Sequence, residues 1–339
     1  MKFGVMLPHT NKIASADAIL RTAETAEEYG FHALTVHDHI VFNGHWIVSG
    51  ERGYAGPGDD RDLYESMQTM AFVAARTSKI RFVASVIVMP IREPVLFAKQ
   101  AATLDVLSDG RLTVGIGVGP PLTPGDKETT KLGKHRSNAG REYDAVGVYG
   151  NRGPRTDEYI EAAIEIWQND LATYIGKYTS FEDIEVFPKP IQKPHPPIFI
   201  GGRSEFAIQR TIKYGDGWNP SQPSAGQMRE NIARLKTLCA EAGRPPLQTF
   251  GINIPSVIAA TDDEAEAIAR GTVRVMFPGE PEYRERTIVG SPDTFIRRVN
   301  EFRDAGVNYV ELKPLYPDMD HFMEQLRLIR DEVMPAVAD

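Results

Sequence analysis

The chain carries one cysteine, Cys239, among 339 residues, so an intramolecular disulfide is excluded. No stretch approaches the ~18 consecutive apolar residues of a membrane span. A secretory leader pattern is also missing, since Phe3–Leu7 already reads as a strand. An excess of positive charge is lacking too: 38 Lys and Arg stand against 46 Asp and Glu, a net charge of −8. That balance argues against general binding to nucleic acid or to membrane surfaces. What is left is ordinary globular material, 42% hydrophobic and 25% charged, expected in the cytoplasm. Cys239 falls in a helical pattern with Met228, Ile232, Leu235 and Leu238, which predicts a buried small apolar side chain rather than a reactive thiol.

Strand and helix signals alternate along the rest of the chain. The clearest unit lies within residues 80–119, where IRFVASVIV and GRLTVGIGVG flank a helical segment. Phe3–Leu7 and His32–Val36 precede it as the first two strands. Pro197–Ile200, Gly217–Asn219, Phe250–Ala259 and Asn308–Lys313 follow, with helices predicted over 204–214, 225–242, 262–275, 292–305 and 319–335. Ser15–Tyr29, Leu63–Thr77 and Thr156–Asn169 read as helices as well. Ser291-Pro292 is an N-cap followed by proline at the first helical position. About eight β/α repeats with crossover connections predict parallel strands and a single TIM barrel, with a doubly wound sheet as the alternative. The chain exceeds the usual barrel size by roughly 90 residues. Insertions at about 38–62, 120–155 and 172–196 account for that excess, and the first two follow strand C-terminal ends, where they would rim the working face. No linker divides the chain, so one domain over 1–339 is expected.

Five places could carry chemistry. His37, Asp38 and His39 close the second strand; alternation sends the two histidines one way and Asp38 the other. That suits a solvated strand end, a zinc pair or one catalytic histidine acting near neutral pH. Of the remaining histidines only His9 ends a strand, so a full metal ligand set is not expected. Ser85-Val86 lies late in the third strand, where a small residue could simply fit a tight barrel layer. Gly115, Gly117 and Gly119 alternate along the fourth strand, leaving one face bare for a flat ring or for close packing. Ile200-Gly201-Gly202-Arg203-Ser204 runs from strand to helix as a phosphate cradle or a plain turn. Asp126–Arg155 holds seven Lys and Arg against four acids, a basic loop in an acidic chain that could attract an anion.

Taken together these segments resemble the bacterial luciferase-like flavin and deazaflavin oxidoreductases. The matching stretches are FGVMLPHT, VHDHI, ATLDVLSDGRLTVGIGVG, RTDEYIEAAIEIW, FPKPIQKPHPPIFIGGRSEFAIQRTIKYGDGWNP and GSPDTFIRRVNEFRDAGVNYVEL, in family order over nearly the whole chain. The branch most similar uses the deazaflavin coenzyme F420. The resemblance implies a TIM barrel with the ring at its C-terminal mouth and a non-proline cis peptide backing it, a position that falls on Ser85-Val86. It implies a catalytic Asp38-His39 pair, with His39 in proton transfer, a ring wall of Gly117, Val118 and Gly119, and a phosphate region of Gly201, Gly202 and Arg203. His9 and Trp46 are placed in the substrate pocket. Deazaflavin sugar-phosphate dehydrogenases carry Glu just after the strand-four glycines and Trp a few residues beyond Asp-His. Here Pro120 and about Asn43 hold those places, with Trp46 displaced, so glucose 6-phosphate is not the expected substrate. The expected activity is hydride transfer between F420 and a small organic molecule, with an F420- or flavin-reducing enzyme as recycling partner and a homodimer as the assembly. An FMN-dependent monooxygenase is the alternative within the class. A metal-dependent barrel hydrolase and a non-catalytic flavin-binding protein are the rivals outside it.

Overall fold

The computed structural model describes residues 1–10, 13–41, 46–48, 51–53, 62–122, 138–148, 150–270, 273 and 280–338. In chain order the strands are β1 (Lys2–Met6), β2 (Ala33–Val36), β3 (Trp46–Val48), β4 (Glu51–Gly53), β5 (Arg81–Val88), β6 (Leu112–Gly117) and β7 (Ala172–Ile175). They continue as β8 (Ser180–Ile184), β9 (Ile198–Ile200), β10 (Gly217–Trp218), β11 (Thr249–Ile258), β12 (Ile288–Gly290) and β13 (Tyr309–Pro314). Strands β1, β2, β5, β6, β9, β10, β11 and β13 pair in parallel, and the β10–β11 pairing closes the ring. Closure makes this a (β/α)8 barrel and removes the open doubly wound sheet, which would leave two edges.

The crossovers are helical, including α1 (Ala16–Glu28), α2 (Ser66–Ala74), α3 (Pro94–Leu107), α4 (Asn138–Ala145), α5 (Arg152–Gln168), α6 (Glu205–Tyr214), α7 (Ala225–Glu241) and α8 (Asp262–Arg270). Alternation along each strand sends one set of side chains out to these helices. Phe3, Val5 and Leu7 of the first strand thus join Ile19, Ala23 and Ala26 of α1 in the core. Helix ends follow their sequence signals: Ser15 caps α1, and Ser291 caps the helix Pro292–Asp304. Cys239 is buried and unpaired on α7. Strand β12, paired outside the ring to the far end of the long β11, and the helix Glu280–Arg286 are elements that hydrophobic periodicity did not reveal.

The inward-facing set is unusual for its polarity. Tyr309, Glu311 and Lys313 alternate on β13, so all three point into the barrel at successive levels. Opposite them are glycines. A Cβ on Gly4 would overlap the Tyr309 hydroxyl, one on Gly217 would lie 2.7 Å from Phe199, and one on Gly251 would lie 2.9 Å from Tyr309. Tyr309 and Phe199 therefore fill space that bare backbone leaves, and with Ala33 and Val83 they form a small apolar plug inside the barrel.

Gly115 has a different neighbour. The β5–β6 register shifts between Ala84 and Ile87, and a Cβ at residue 115 would overlap the Ala84 carbonyl oxygen. Backbone cannot yield as a flexible side chain does, so Gly115→Ala should cost about 1–3 kcal/mol. Thermal unfolding checks this; an unchanged melting temperature would show that the strand tolerates the methyl group.

Two insertions take recognisable shape. Residues 172–196 form an antiparallel hairpin, β7 with β8, followed by the run Gln192–His195 at the N-terminal mouth of the barrel. In the 120–155 insertion α4 packs Ala139 and Tyr143 against Val88 and Ile91. Lys127, Lys131, Lys134 and Arg136 of the basic loop lie outside the described residues. No helix among the described residues is long and apolar enough to cross a membrane.

Candidate active site

A cavity of about 990 Å³ opens at the C-terminal ends of the barrel strands, the end at which barrel enzymes work. His37, Asp38, His39, Ser85, Val86, Gly117, Val118, Gly119, Gly201 and Gly202 all border it. His9 and Arg203 do not. The side chain of Trp46 lies outside the described residues.

His39 is held by a partner that the sequence did not single out. Its Nδ1 lies 2.8 Å from Oε2 of Glu142, whose side chain is almost wholly buried. The other carboxylate oxygen, Oε1, accepts from the backbone N–H groups of Ile40 at 2.5 Å and Val41 at 3.1 Å. Glu142 sits on α4, inside the insertion, and therefore fixes both the ring and the chain that follows it. The carboxylate at Nδ1 fixes the orientation of the imidazole ring at the edge of the cavity. In the sequence Glu142 was one acid among four in a basic loop; 103 residues separate it from His39.

Asp38, expected to be catalytic, borders the cavity and is engaged by structural partners. Its carboxylate forms a buried ion pair with Arg92 and accepts from Ser66 Oγ at 2.8 Å and Val88 N at 3.0 Å. Those partners occupy both oxygens and tie the end of β2 to the end of β5. Asp38 is thus a positioning residue. His9 is also corrected. It is fully buried; its Nδ1 donates to the Leu7 carbonyl at 2.8 Å and its Nε2 accepts from His37 N at 3.3 Å. Burial holds His9 below its ordinary imidazole value, so it serves as a neutral brace beneath His37 rather than as part of the substrate pocket.

The glycine wall is corrected in detail. The peptide between Ser85 and Val86 is cis, and the bulge at this point brings Val86 to the cavity. A Cβ at Gly117 would overlap a Val86 methyl, and one at Gly201 would lie 2.8 Å from the other. Gly119 is backed by the Tyr143 hydroxyl and Val88. Val86 fills part of the space these glycines leave and lines the cavity beside them.

Two helix N-termini converge on the cavity from one side. Gly201, Gly202, Ser204 and Ala207 bring the start of α6, and Asn151, Arg152, Gly153 and Pro154 bring the start of α5. Such ends present unpaired N–H groups and a partial positive charge, which suits an anion. Arg152 is the first residue of α5; its Nη1 donates to the carbonyls of Val118 at 3.0 Å and Pro120 at 2.6 Å, and its guanidinium covers the Tyr143 ring. All those partners are neutral, so its charge remains available to a ligand. Arg210 joins the two helices, pairing with Asp157 at 2.6 Å and reaching the Gly153 carbonyl at 3.2 Å. Arg203, the cation expected here, instead donates to the Gln222 carbonyl at 3.0 Å.

The floor is a polar layer. Asn219 donates to Glu311 at 2.8 Å and to Ser85 Oγ at 3.3 Å, and Asn253 donates to the other Glu311 oxygen. Burial pushes the Glu311 carboxyl above its ordinary value, and these hydrogen bonds oppose the shift. Lys313, which borders the cavity, is held below the usual lysine range by burial, with Glu311 opposing. Burial likewise keeps His37 well below its ordinary value, helped by His9 and Lys313. No group of three or more metal-ligating side chains occurs among the described residues; Nδ1 of His37 faces the Met6 sulfur at 3.4 Å.

The description "luciferase-like monooxygenase" belongs to the family model that matches residues 1–309. An uncharacterized protein of Mycobacterium tuberculosis is 29% identical over 248 residues, covering 71% of this chain and 77% of that one. An FMNH2-dependent dimethylsulfone monooxygenase of Pseudomonas putida is 27% identical over 356 aligned residues, covering 94% of this chain and 87% of its own. Among solved structures, an F420-dependent secondary alcohol dehydrogenase in complex with an F420–acetone adduct superposes with a TM-score of 0.79 at 18% identity, covering 100% of this chain and 99% of that one. With a cavity at the barrel's C-terminal mouth and a family match over most of its length, the chain belongs to the luciferase-like monooxygenase family.

Proposed function

We propose that the upper cavity binds F420 and that the protein transfers a hydride between this deazaflavin and a small organic substrate. The observation that carries the reading is the pairing, in one cavity, of an anion pole with an acid–base dyad. The convergent starts of α5 and α6, with Arg152 beside them, suit the cofactor's phosphate. His39, held by Glu142, borders the same space. A volume of about 990 Å³ stands at the upper end of the range for small-molecule and cofactor sites.

When bound, the deazaflavin supplies the two-electron chemistry. The protein's own residues do the rest. Val86 and Val88 give the ring an apolar wall that keeps water off one side. His39 gives a proton through Nε2 to a substrate oxygen that gains a hydride on its carbon, or takes one in the reverse direction. Glu142 orients the imidazole through Nδ1, and Asp38 with Arg92 keeps the loop in place.

The second reading is an FMN-dependent monooxygenase, favoured by the 27% identity to the FMNH2-dependent enzyme over 94% of this chain. Equilibrium binding followed by fluorescence separates the two. We expect oxidised F420 to bind at micromolar concentration or better and FMN at least about tenfold more weakly, a gap of ~1.4 kcal/mol. Arg152→Gln should weaken F420 binding by about 10–100-fold, the worth of a charge-assisted contact of ~1.5–3 kcal/mol. Tight FMN binding with none of F420 would overturn the deazaflavin assignment, and unchanged affinity in Arg152→Gln would overturn the anion pole.

A further inference from the structure

The barrel has a second cavity, of about 500 Å³, at its opposite, N-terminal mouth. The apolar plug of Ala33, Val83, Phe199 and Tyr309, together with the polar layer at Glu311, stands between it and the upper cavity. The N-terminal face of such a barrel ordinarily reads as a stability face, so a cavity within the ligand-binding size range is a departure.

Its lining combines flat rings with positive charge. Phe199 and Tyr309 form the ceiling, and His32 meets the Tyr309 ring edge-on with centroids 6.1 Å apart. Lys2, Arg81 and Lys193 bring three cations from three separate segments, against one acid, Asp216. Asp216 already accepts from the Ile198 backbone at 2.9 Å. Arg81 is partly buried, yet its acceptors are all neutral: the carbonyls of Gly110 and Leu112 at 3.2 Å, the Thr113 hydroxyl at 3.4 Å and the Gln192 amide oxygen at 3.1 Å. Its Nε has no acceptor among the described residues. The Asp105 carboxylate acts on Arg81 electrostatically but hydrogen-bonds to Gln192, so the guanidinium can still take a ligand anion.

The geometry points to a second binding site here, for a small aromatic carboxylate, independent of the upper cavity. The ring would lie against Phe199, Tyr309 and His32, and the carboxylate would face Arg81 and Lys2. His32 reports on occupancy. Burial, Lys2 and Arg81 hold its imidazole down at about 4, so it is neutral in the empty cavity at neutral pH. The groups that face it or share its cavity are Lys2 on β1, Arg81 on β5, Lys193 and His195 ahead of β9, Asp216 ahead of β10 and Tyr309 on β13. A bound carboxylate offsets the two cations that oppose protonation, so the imidazole must rise on binding. By linkage the ligand then binds more tightly as pH falls.

Benzoate is the probe and benzamide its uncharged control, with calorimetry for affinity and the His32 ring resonance by NMR for location. Benzoate should bind at least about tenfold more tightly than benzamide, the scale of one charge-assisted contact. It should gain affinity from neutral to mildly acidic pH and move the His32 resonance. Arg81→Met should abolish the difference between the two probes. Because Arg81 also braces the loop before β6, Lys2→Met, at an exposed position, provides a second variant that should weaken benzoate alone. Binding that persists in His39→Ala supports the lower site. Equal affinities for the two probes, an unmoved His32 resonance, or binding lost in His39→Ala but not in Lys2→Met would each overturn the assignment.

Discussion

His39→Ala is expected to lower turnover by about 10²–10⁴-fold, the usual contribution of a positioned general acid or base, while cofactor affinity stays within a few-fold of the parent. The ring borders the cavity, with Nδ1 fixed by Glu142 at 2.8 Å, and the phosphate is assigned to other residues, at the starts of α5 and α6. The two effects should therefore separate cleanly in a steady-state assay run beside a binding titration. Glu142→Gln gives the finer test. It keeps the shape and a hydrogen-bonding oxygen but removes the charge beside Nδ1, so its turnover should fall between the parent and His39→Ala. If His39→Ala loses only cofactor affinity, the proton-transfer role fails. If Glu142→Gln matches the parent at every pH, the dyad is only a brace.

The second large effect concerns stability. Asp38→Ala should destabilise the fold by about 3–5 kcal/mol, the cost of breaking a buried ion pair from one side. Asp38 is 2% exposed and serves Arg92, Ser66 and the Val88 backbone at once. Removing it leaves the guanidinium with Ser66 Oγ at 3.3 Å and one carboxylate, Glu65 at 2.6 Å, and that carboxylate sits nearer the surface. It also strands a buried N–H, which costs a further increment. Urea unfolding measures the loss directly. A loss under about 1 kcal/mol would place the pair in the surface class and return Asp38 to consideration as a reacting group.

These two residues mark what was legible in the sequence and what was not. The barrel was readable because eight strands with helical crossovers leave a strong periodic trace, and because closure follows from their number. His39 was readable because it ends a strand in a polar cluster. The structural role of Asp38 was not, since its partners Ser66, Val88 and Arg92 are distant in sequence and only the return of β5 beside β2 assembles them. Glu142 was invisible for the same reason: it lies within the short helix α4, and 103 residues separate it from His39. The glycines of β6 were noticed but explained incompletely. Missing side chains show that space is needed, and only the structure shows that Val86 and the Ala84 carbonyl take it. His9 and Arg203 resembled site residues by position alone; hydrogen bonding turned one inward and the other away.

The three inward residues of β13 have a further consequence. Tyr309 stands at the lower cavity, Glu311 in the middle layer and Lys313 at the upper floor, so one strand carries an aromatic ring, an acid and a base in sequence along the barrel axis. A slip of two residues would preserve every inward and outward face, and with it the entire hydrophobic pattern. It would nevertheless put the carboxylate where the ammonium belongs and reverse the charge of the working floor. Hydrophobicity cannot forbid that error. What forbids it is the fit of Tyr309 into the bare backbone of Gly4, backed by four register pairs with β1 and six with β11. A missing side chain at the bottom of the barrel thus determines the sign of the charge at the top.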